Sequence, residues 1–209
     1  MLENIDFLGH ATFRIRGSKT VYFDPYQLAT QDEADLILVT HSHFDHLSLD
    51  DVKKIAGRNT TVVCSKDCVD QVKLLVGMVI GIDPFEKTEV GEVRVESVPA
   101  YNIDKEFHPR ANNWNGYVLT LDGVRYYHPG DTDKIPEMKN VQTDVAFLPV
   151  GGTYTMDCNE AAEAVELIDL KYAVPMHYGS IVGSDSDAKK FVQLVGSRGV
   201  IIPPKKLSK

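Results

Sequence analysis

Asp35-Leu36-Ile37-Leu38-Val39-Thr40-His41-Ser42-His43-Phe44-Asp45-His46 joins an apolar run directly to a cluster of metal-binding side-chain types. Four consecutive apolar residues without polar alternation predict a strand over 35–40 buried on both faces. Imidazole and carboxylate are the nitrogen and oxygen donors that zinc and similar divalent ions prefer. In an extended chain His41, His43 and Asp45 share a face, whereas a turn into a helix at Leu47 sends His46 in another direction. Two donor sets pointing two ways suit two adjacent ions better than one. A solvated polar loop is the plain alternative, but the six-residue window holds three of the chain's seven histidines.

On the N-terminal side, 5–8, 12–16 and 21–24 read as short strands bounded by Gly, Ser or Pro, a β-meander. On the C-terminal side, Ser48 precedes a helical spacing of Leu49, Val52 and Ile55, with Asp50 and Asp51 in the first turn and Gly57 as the stop. A strand over 61–64 and a helix opened by Ser65 and running to about Val76 follow. After Pro84 the pattern turns strand-rich again, over 92–98, 116–121 and 125–128, with Asp122-Gly123 as a hairpin signal. Then come a strand over 144–149, an amphipathic helix over 160–170, a strand over 172–176, a helix over 186–195 and a last short strand over 200–202. Two meander-plus-αβ halves predict an α/β chain, with two sheets sandwiched between helices, in a single domain over 1–209.

The chain has 209 residues, and 22 basic against 30 acidic side chains leave a net charge of −8. An acidic chain is poorly matched to a polyanion, so nucleic acid is not an expected partner; the only local basic cluster is the tail Lys205, Lys206 and Lys209. Cys64, Cys68 and Cys158 form no C-x-x-C pair, which points away from a disulfide framework or zinc ribbon and towards a reducing cytoplasm. No stretch approaches the ~18 apolar residues of a membrane span.

Further candidates follow from position. Gly130-Asp131 comes after the strand over 125–128 and sets a carboxylate at a strand end, and His177 likewise ends a buried strand. His10 and His128 are candidates for hydrogen-bonding to ligands rather than binding metal, and Asp24 before Pro25 for buttressing a ligand loop. Tyr101, Asn102, Arg110, Trp114 and Tyr154 are candidates for the pocket mouth, with Arg110 or Lys105 available to an anionic substrate.

His41-Ser42-His43-Phe44-Asp45-His46 after a buried strand resembles the H-x-H-x-D-H mark of the metallo-β-lactamase superfamily. So do Leu8-Gly9-His10-Ala11, Phe23-Asp24-Pro25, His128-Pro129-Gly130-Asp131-Thr132 and Val174-Pro175-Met176-His177-Tyr178, which together span nearly the whole chain. In order and spacing, with Leu148-Pro149-Val150-Gly151-Gly152 and Thr155-Met156, they are most similar to the branch of ascorbate-6-phosphate lactonase-like and N-acyl-phosphatidylethanolamine phospholipase D-like hydrolases. The resemblance implies a four-layer αββα sandwich of two mixed β-sheets flanked by helices. It also implies two divalent ions, zinc first, with manganese, nickel or iron as alternatives. His41 and His43 would hold the first ion, Asp45, His46 and His177 the second, and Asp131 both, with Asp45 and Asp131 as the catalytic carboxylates.

The sequence departs from that pattern in one place. Where the family supplies a third histidine to the first ion, Val98-Pro99-Ala100-Tyr101-Asn102 stands instead. His108, beside Pro109, is the candidate to loop back as ligand or substrate contact. The implied activity is metal-dependent hydrolysis of a small, anionic phosphoester or lactone, by a chain that could be a homo-oligomer. Two other readings stay open at this point. One is a metal-binding pseudo-enzyme or sensor with an incomplete first site; the other is an iron-dependent redox enzyme of the same fold, disfavoured because His43 stands where the di-iron relatives carry glutamate.

Overall fold

The computed structural model describes residues 1–29 and 32–205; Lys206 and Lys209 of the basic tail lie outside the described residues. Two six-stranded mixed sheets pack face to face with helices outside them. The first contains β1 (Ile5–Gly9), β2 (Thr12–Arg16), β3 (Thr20–Phe23), β4 (Ala34–Val39), β5 (Ala56–Ser65) and β6 (Met78–Ile82), in that order across the sheet. Helices α1 (Leu49–Ile55) and α2 (Val69–Val72) cover its outer face. The second sheet contains β7 (Lys87–Val90), β8 (Val93–Pro99), β9 (Asn115–Leu121), β10 (Val124–His128), β11 (Val145–Pro149) and β12 (Tyr172–Met176), again in sequence order. Its outer face carries α3 (Cys158–Val165) and α4 (Asp185–Val195).

The layering explains the apolar run in β4. Leu36 and Leu38 point into the core between the sheets, while Ile37 and Val39 pack beneath α1 and α2 with Val52, Ile55 and Val72. Alternation therefore persists as direction, and both directions are dry. Across the sheet interface Phe13 stacks on Phe147 with ring centroids 3.9 Å apart, and Phe23 lies flat on the His128 ring at 4.9 Å. Tyr117 of β9 donates its hydroxyl to Val39 O at 2.8 Å, which ties the second sheet to the end of β4.

Several boundaries differ from the sequence reading. Ser48 caps α1, accepting from Asp51 N at 3.3 Å, but Ala56 is already extended and β5 starts there, so Gly57 lies in a strand. The helix read over 65–76 is only a 3-10 turn and the short α2. Ser65 heads that turn without a side-chain capping bond, because its hydroxyl donates to Thr40 O and accepts from Asn115 Nδ2. Helix α3 begins at Cys158 because Asp157 caps it, with Glu160 bonding back to the Asp157 backbone, and it ends at Val165. Strands β6 and β7 have no counterpart among the strands the sequence predicts. The stretch 200–202 is no strand; Val200 N donates to Ala173 O at 2.9 Å beside a single bridge.

Candidate metal centre

The candidate residues follow strand ends: His10 after β1, Asp24 after β3, residues 41–46 after β4, Asn102 and His108 after β8, Asp131 after β10, and His177 after β12. Outside the ends of strands the backbone no longer has ladder partners, so side chains from both sheets can converge. His10, Asp24 and His177 all have positive φ, at 53°, 42° and 58°. Non-glycine residues adopt this conformation at a cost of about 1–2 kcal/mol each, and its clustering at one place marks a constrained site. Gly130 also has positive φ, 65°, and a Cβ there would lie 2.8 Å from Thr40 Cβ, so only glycine lets the β10 loop close onto the end of β4.

Donor atoms converge in three overlapping groups. His41, His43 and His108 form one; His10, Asp45, His46 and His177 form another; His41, His46 and Asp131 form a third. In each, one donor atom per residue lies within 4.8 Å of every other. Asp131 sits between them, with Oδ1 3.1 Å from both His46 Nε2 and His177 Nε2 and Oδ2 3.2 Å from His108 Nε2. Yet these three Nε2 atoms and Asp131 Oδ1 are buried without a hydrogen-bond partner. Buried polar atoms are ordinarily paired. Nitrogen lone pairs facing a carboxylate with nothing between them are the donor set a divalent cation satisfies.

The opposite ring nitrogens are held. Asp24 accepts from Thr40 N at 2.8 Å, Thr40 Oγ1 at 2.7 Å and His46 Nδ1 at 2.7 Å. Because Thr40 spends its hydroxyl proton on Asp24, its oxygen accepts from His41 Nδ1 at 2.9 Å. Both rings are thereby set in the tautomer that leaves Nε2 free. His108 Nδ1 donates to Asn102 Oδ1 at 2.9 Å, and Asn102 is itself fixed through Nδ2 to Asp133 Oδ1 and Tyr154 O, each at 3.0 Å. His10 Nε2 donates to Asp45 Oδ2 at 2.9 Å. His128 instead donates to Ala11 O at 2.7 Å and stacks in the sheet interface, so it supports the fold beneath the cluster.

Electrostatics follow from burial and proximity. Burial, then the neighbouring His46, holds the pKa of His41 well below the usual range. For His46 burial also opposes charge, but Asp131 and Asp24 more than offset it and hold its pKa well above that range. Burial alone would raise Asp131, whereas His177 and His46 keep it well below the ordinary carboxylate range. Asp131 and His46 thus each favour the charged form of the other.

Of the five mouth candidates, Tyr101, Asn102, Arg110 and Trp114 do not line the cavity over the cluster. Tyr101 and Arg110 line a separate cavity of about 300 Å³; both bond Glu137, and Arg110 lies over the Tyr101 ring. Asn102 is buried against His108. Lys105 pairs with Asp133 at 2.6 Å. Trp114 donates its indole N–H to Asp67 at 2.7 Å and packs 4.8 Å from the rings of both His41 and His43. Tyr154 does line the cavity over the cluster, with Phe44, Phe107 and Ile181. Sequence reading missed Thr40 and Asp133. The adjacency of Thr40 to His41 was the one available signal for the former; the latter, two residues after Asp131, had none.

Comparison with known proteins places the chain. The model of the β-lactamase superfamily domain matches residues 4–177. A UPF0173 metal-dependent hydrolase of Pyrococcus furiosus is 38% identical over 96% of both chains, and one of Archaeoglobus fulgidus 32% identical over 94% of this chain and 92% of its own. Among solved structures, a Parabacteroides distasonis protein assigned as a metal-dependent hydrolase superposes with TM-score 0.82 at 31% identity, covering 94% of this chain and 91% of that one. The metallo hydrolase Igni18 of Ignicoccus hospitalis shares the fold with TM-score 0.80 at 24% identity, covering 97% and 95%. The chain belongs to the β-lactamase superfamily and, within it, to the UPF0173 metal-dependent hydrolases.

Proposed function

We propose that this chain hydrolyses a small phosphoester or lactone with a water activated between two divalent ions, zinc first among the candidates. His41, His43 and His108 would hold one ion, Asp45, His46 and His177 the other, with Asp131 reaching both. The observation that carries this reading is the set of buried, unpartnered atoms His46 Nε2, His108 Nε2, His177 Nε2 and Asp131 Oδ1 facing one another. When bound, such ions lower the pKa of a water towards ~7 and neutralise the negative charge that develops on the attacked group.

The chain's own residues supply the rest. Asp24 and Thr40 hold His41 and His46 in the tautomer that binds through Nε2. His10 holds Asp45 Oδ2 in place, the oxygen that lies 3.8 Å from both His46 Nε2 and His177 Nε2. Trp114 covers one side of His41 and His43 and excludes water there. The three free thiols, all buried, suit a cytoplasmic setting.

Metal analysis of the purified chain, joined to turnover of bis(p-nitrophenyl) phosphate and of γ-butyrolactone, tests the proposal. Close to two ions per chain and hydrolysis of one class that a chelator abolishes are the expected results. A chain that binds no divalent ion, or one fully loaded that turns over neither class, overturns it.

A further inference from the structure

The cavity above the cluster has a volume of about 320 Å³. Its polar floor is buried at Asp45, His108 and Asp131 and half-buried at His43, whereas its mouth is apolar and open: Phe44 is 67% exposed, Phe107 47% and Ile181 38%, with Tyr154 beside them. Phe44 lies between His43 and Asp45 in the chain, and Phe107 immediately precedes His108, so apolar surface begins one residue from the candidate ligands. The aromatic rings are held, Phe107 edge-on to Tyr154 at 4.7 Å and Phe44 edge-on to Tyr26 at 5.9 Å. Contiguous exposed apolar side chains around a polar centre are the usual lining of a ligand site.

Charge narrows the ligand further. Among the described residues, none of those lining this cavity is a lysine or arginine. The two cations nearest in sequence are spent, Lys105 on Asp133 and Arg110 on Glu137. A second phosphate or a carboxylate tail would meet no counter-charge beyond the cluster itself.

We propose that the substrate is an ester or lactone with at most one negative charge and one compact apolar arm, a phenyl group or short alkyl chain, seated among Phe44, Phe107, Tyr154 and Ile181. This rests on the hydrolytic reading above, and it excludes phosphorylated sugars and nucleotides as the preferred class. The cavity's volume of about 320 Å³ accommodates one ring or a short chain.

The test uses two monoanions that differ only in the arm, methylphenylphosphinate and dimethylphosphinate, titrated calorimetrically into the zinc-loaded chain. The phenyl compound should bind about tenfold more tightly. Phe44→Ala and Ile181→Ala should each erode that advantage while leaving dimethylphosphinate affinity, the control for folding and metal content, unchanged. Ile181→Lys should instead tighten binding of inorganic phosphate. Equal wild-type affinity for the two phosphinates, or a phenyl preference that survives the Phe44→Ala/Ile181→Ala double variant, overturns the proposal. So does a dimer that dissociates on Phe44→Ala, which would give the rim to a second copy of the chain. Absence of turnover with the phenyl preference intact would sink the hydrolytic reading and leave the pocket assignment standing.

Discussion

The two sides of the histidine cluster are held by different means. On one side, His10, Asp45, His46 and His177 are all buried; His46 is anchored on Asp24, and His177 N donates to His10 O at 2.7 Å. On the other, His41 is buried but His43 is half-buried, and His108 sits on a connection between β8 and β9 that hangs from Asn102 and Asp133. The first side is fixed by strand ends packed in the core. The second is fixed by a chain of side-chain hydrogen bonds. Preorganisation of a ligand set costs the binding step less when the set is already rigid, so the Asp45, His46 and His177 side should bind its ion the more tightly.

Asp131 is where the comparison would break most visibly. Its two oxygens face His46 and His177 on one side and His108 on the other. Asp131→Ala should lower kcat about a thousandfold or more, with ion content reduced on both sides and the circular dichroism spectrum of a folded chain. Turnover at the wild-type rate would show that the two sides do not share this carboxylate.

Asp24→Asn comes next in size. An amide nitrogen aimed at His46 Nδ1 or Thr40 Oγ1 replaces an acceptor with a donor, and both His46 and His41 lose their set tautomer. Competition with a chromophoric chelator should show both affinities weakened, by about 10–100-fold. Thermal unfolding should also register about 1–3 kcal/mol of lost stability. If only one side weakens, the relay through Thr40 is not what orients His41.

Asn102→Ala should separate the two sides. Removing the acceptor of His108 Nδ1 leaves the Asp45, His46 and His177 side untouched, so titration should show one affinity falling about tenfold and the tighter one unchanged. Equal loss at both would mean that the loop bearing His108 is not independent of the core-packed set.

The smallest effect on the cluster is expected from Asp6→Asn, far from either side. Burial would raise the pKa of Asp6, but Lys205 and Arg14 more than offset this, with Arg16 beyond, and hold it below the usual carboxylate range. A depressed folded-state pKa contributes stability that is fully present above the unfolded value of ~3.9 and is lost as pH falls through the folded one. Asp6→Asn should therefore cost about 2 kcal/mol in urea unfolding at pH 7, because Arg14 keeps Asp32 as a partner, and progressively less below pH 4. Ion binding should not change; a change would show that the β1–β2 pair bearing His10 is less rigid than the packing implies.

How far the sequence could be read depends on whether a residue's environment is built by its neighbours in the chain. β4 was legible because both of its faces are dry, which leaves an unbroken apolar run, and the hairpin at Asp122-Gly123 because both residues take positive φ, at 52° and 78°. β7 was not, since Lys-Thr-Glu-Val at a sheet edge carries no apolar pattern and exists through its pairing with β8. β6, Met-Val-Ile-Gly-Ile, carries no clear strand pattern because Gly81 interrupts it, and its neighbour β5 gives it a place. The sequence by itself determined the αββα class and the donor-rich segment 41–46, since both are local patterns of side-chain type. Only the tertiary structure decided that His108 lies 3.2 Å from Asp131, that Asp24 serves His41 and His46 together, and that Arg110 turns away to Glu137. Those are meetings of strand ends from two sheets, and the sheets' register, which no single segment encodes, sets which strand ends meet.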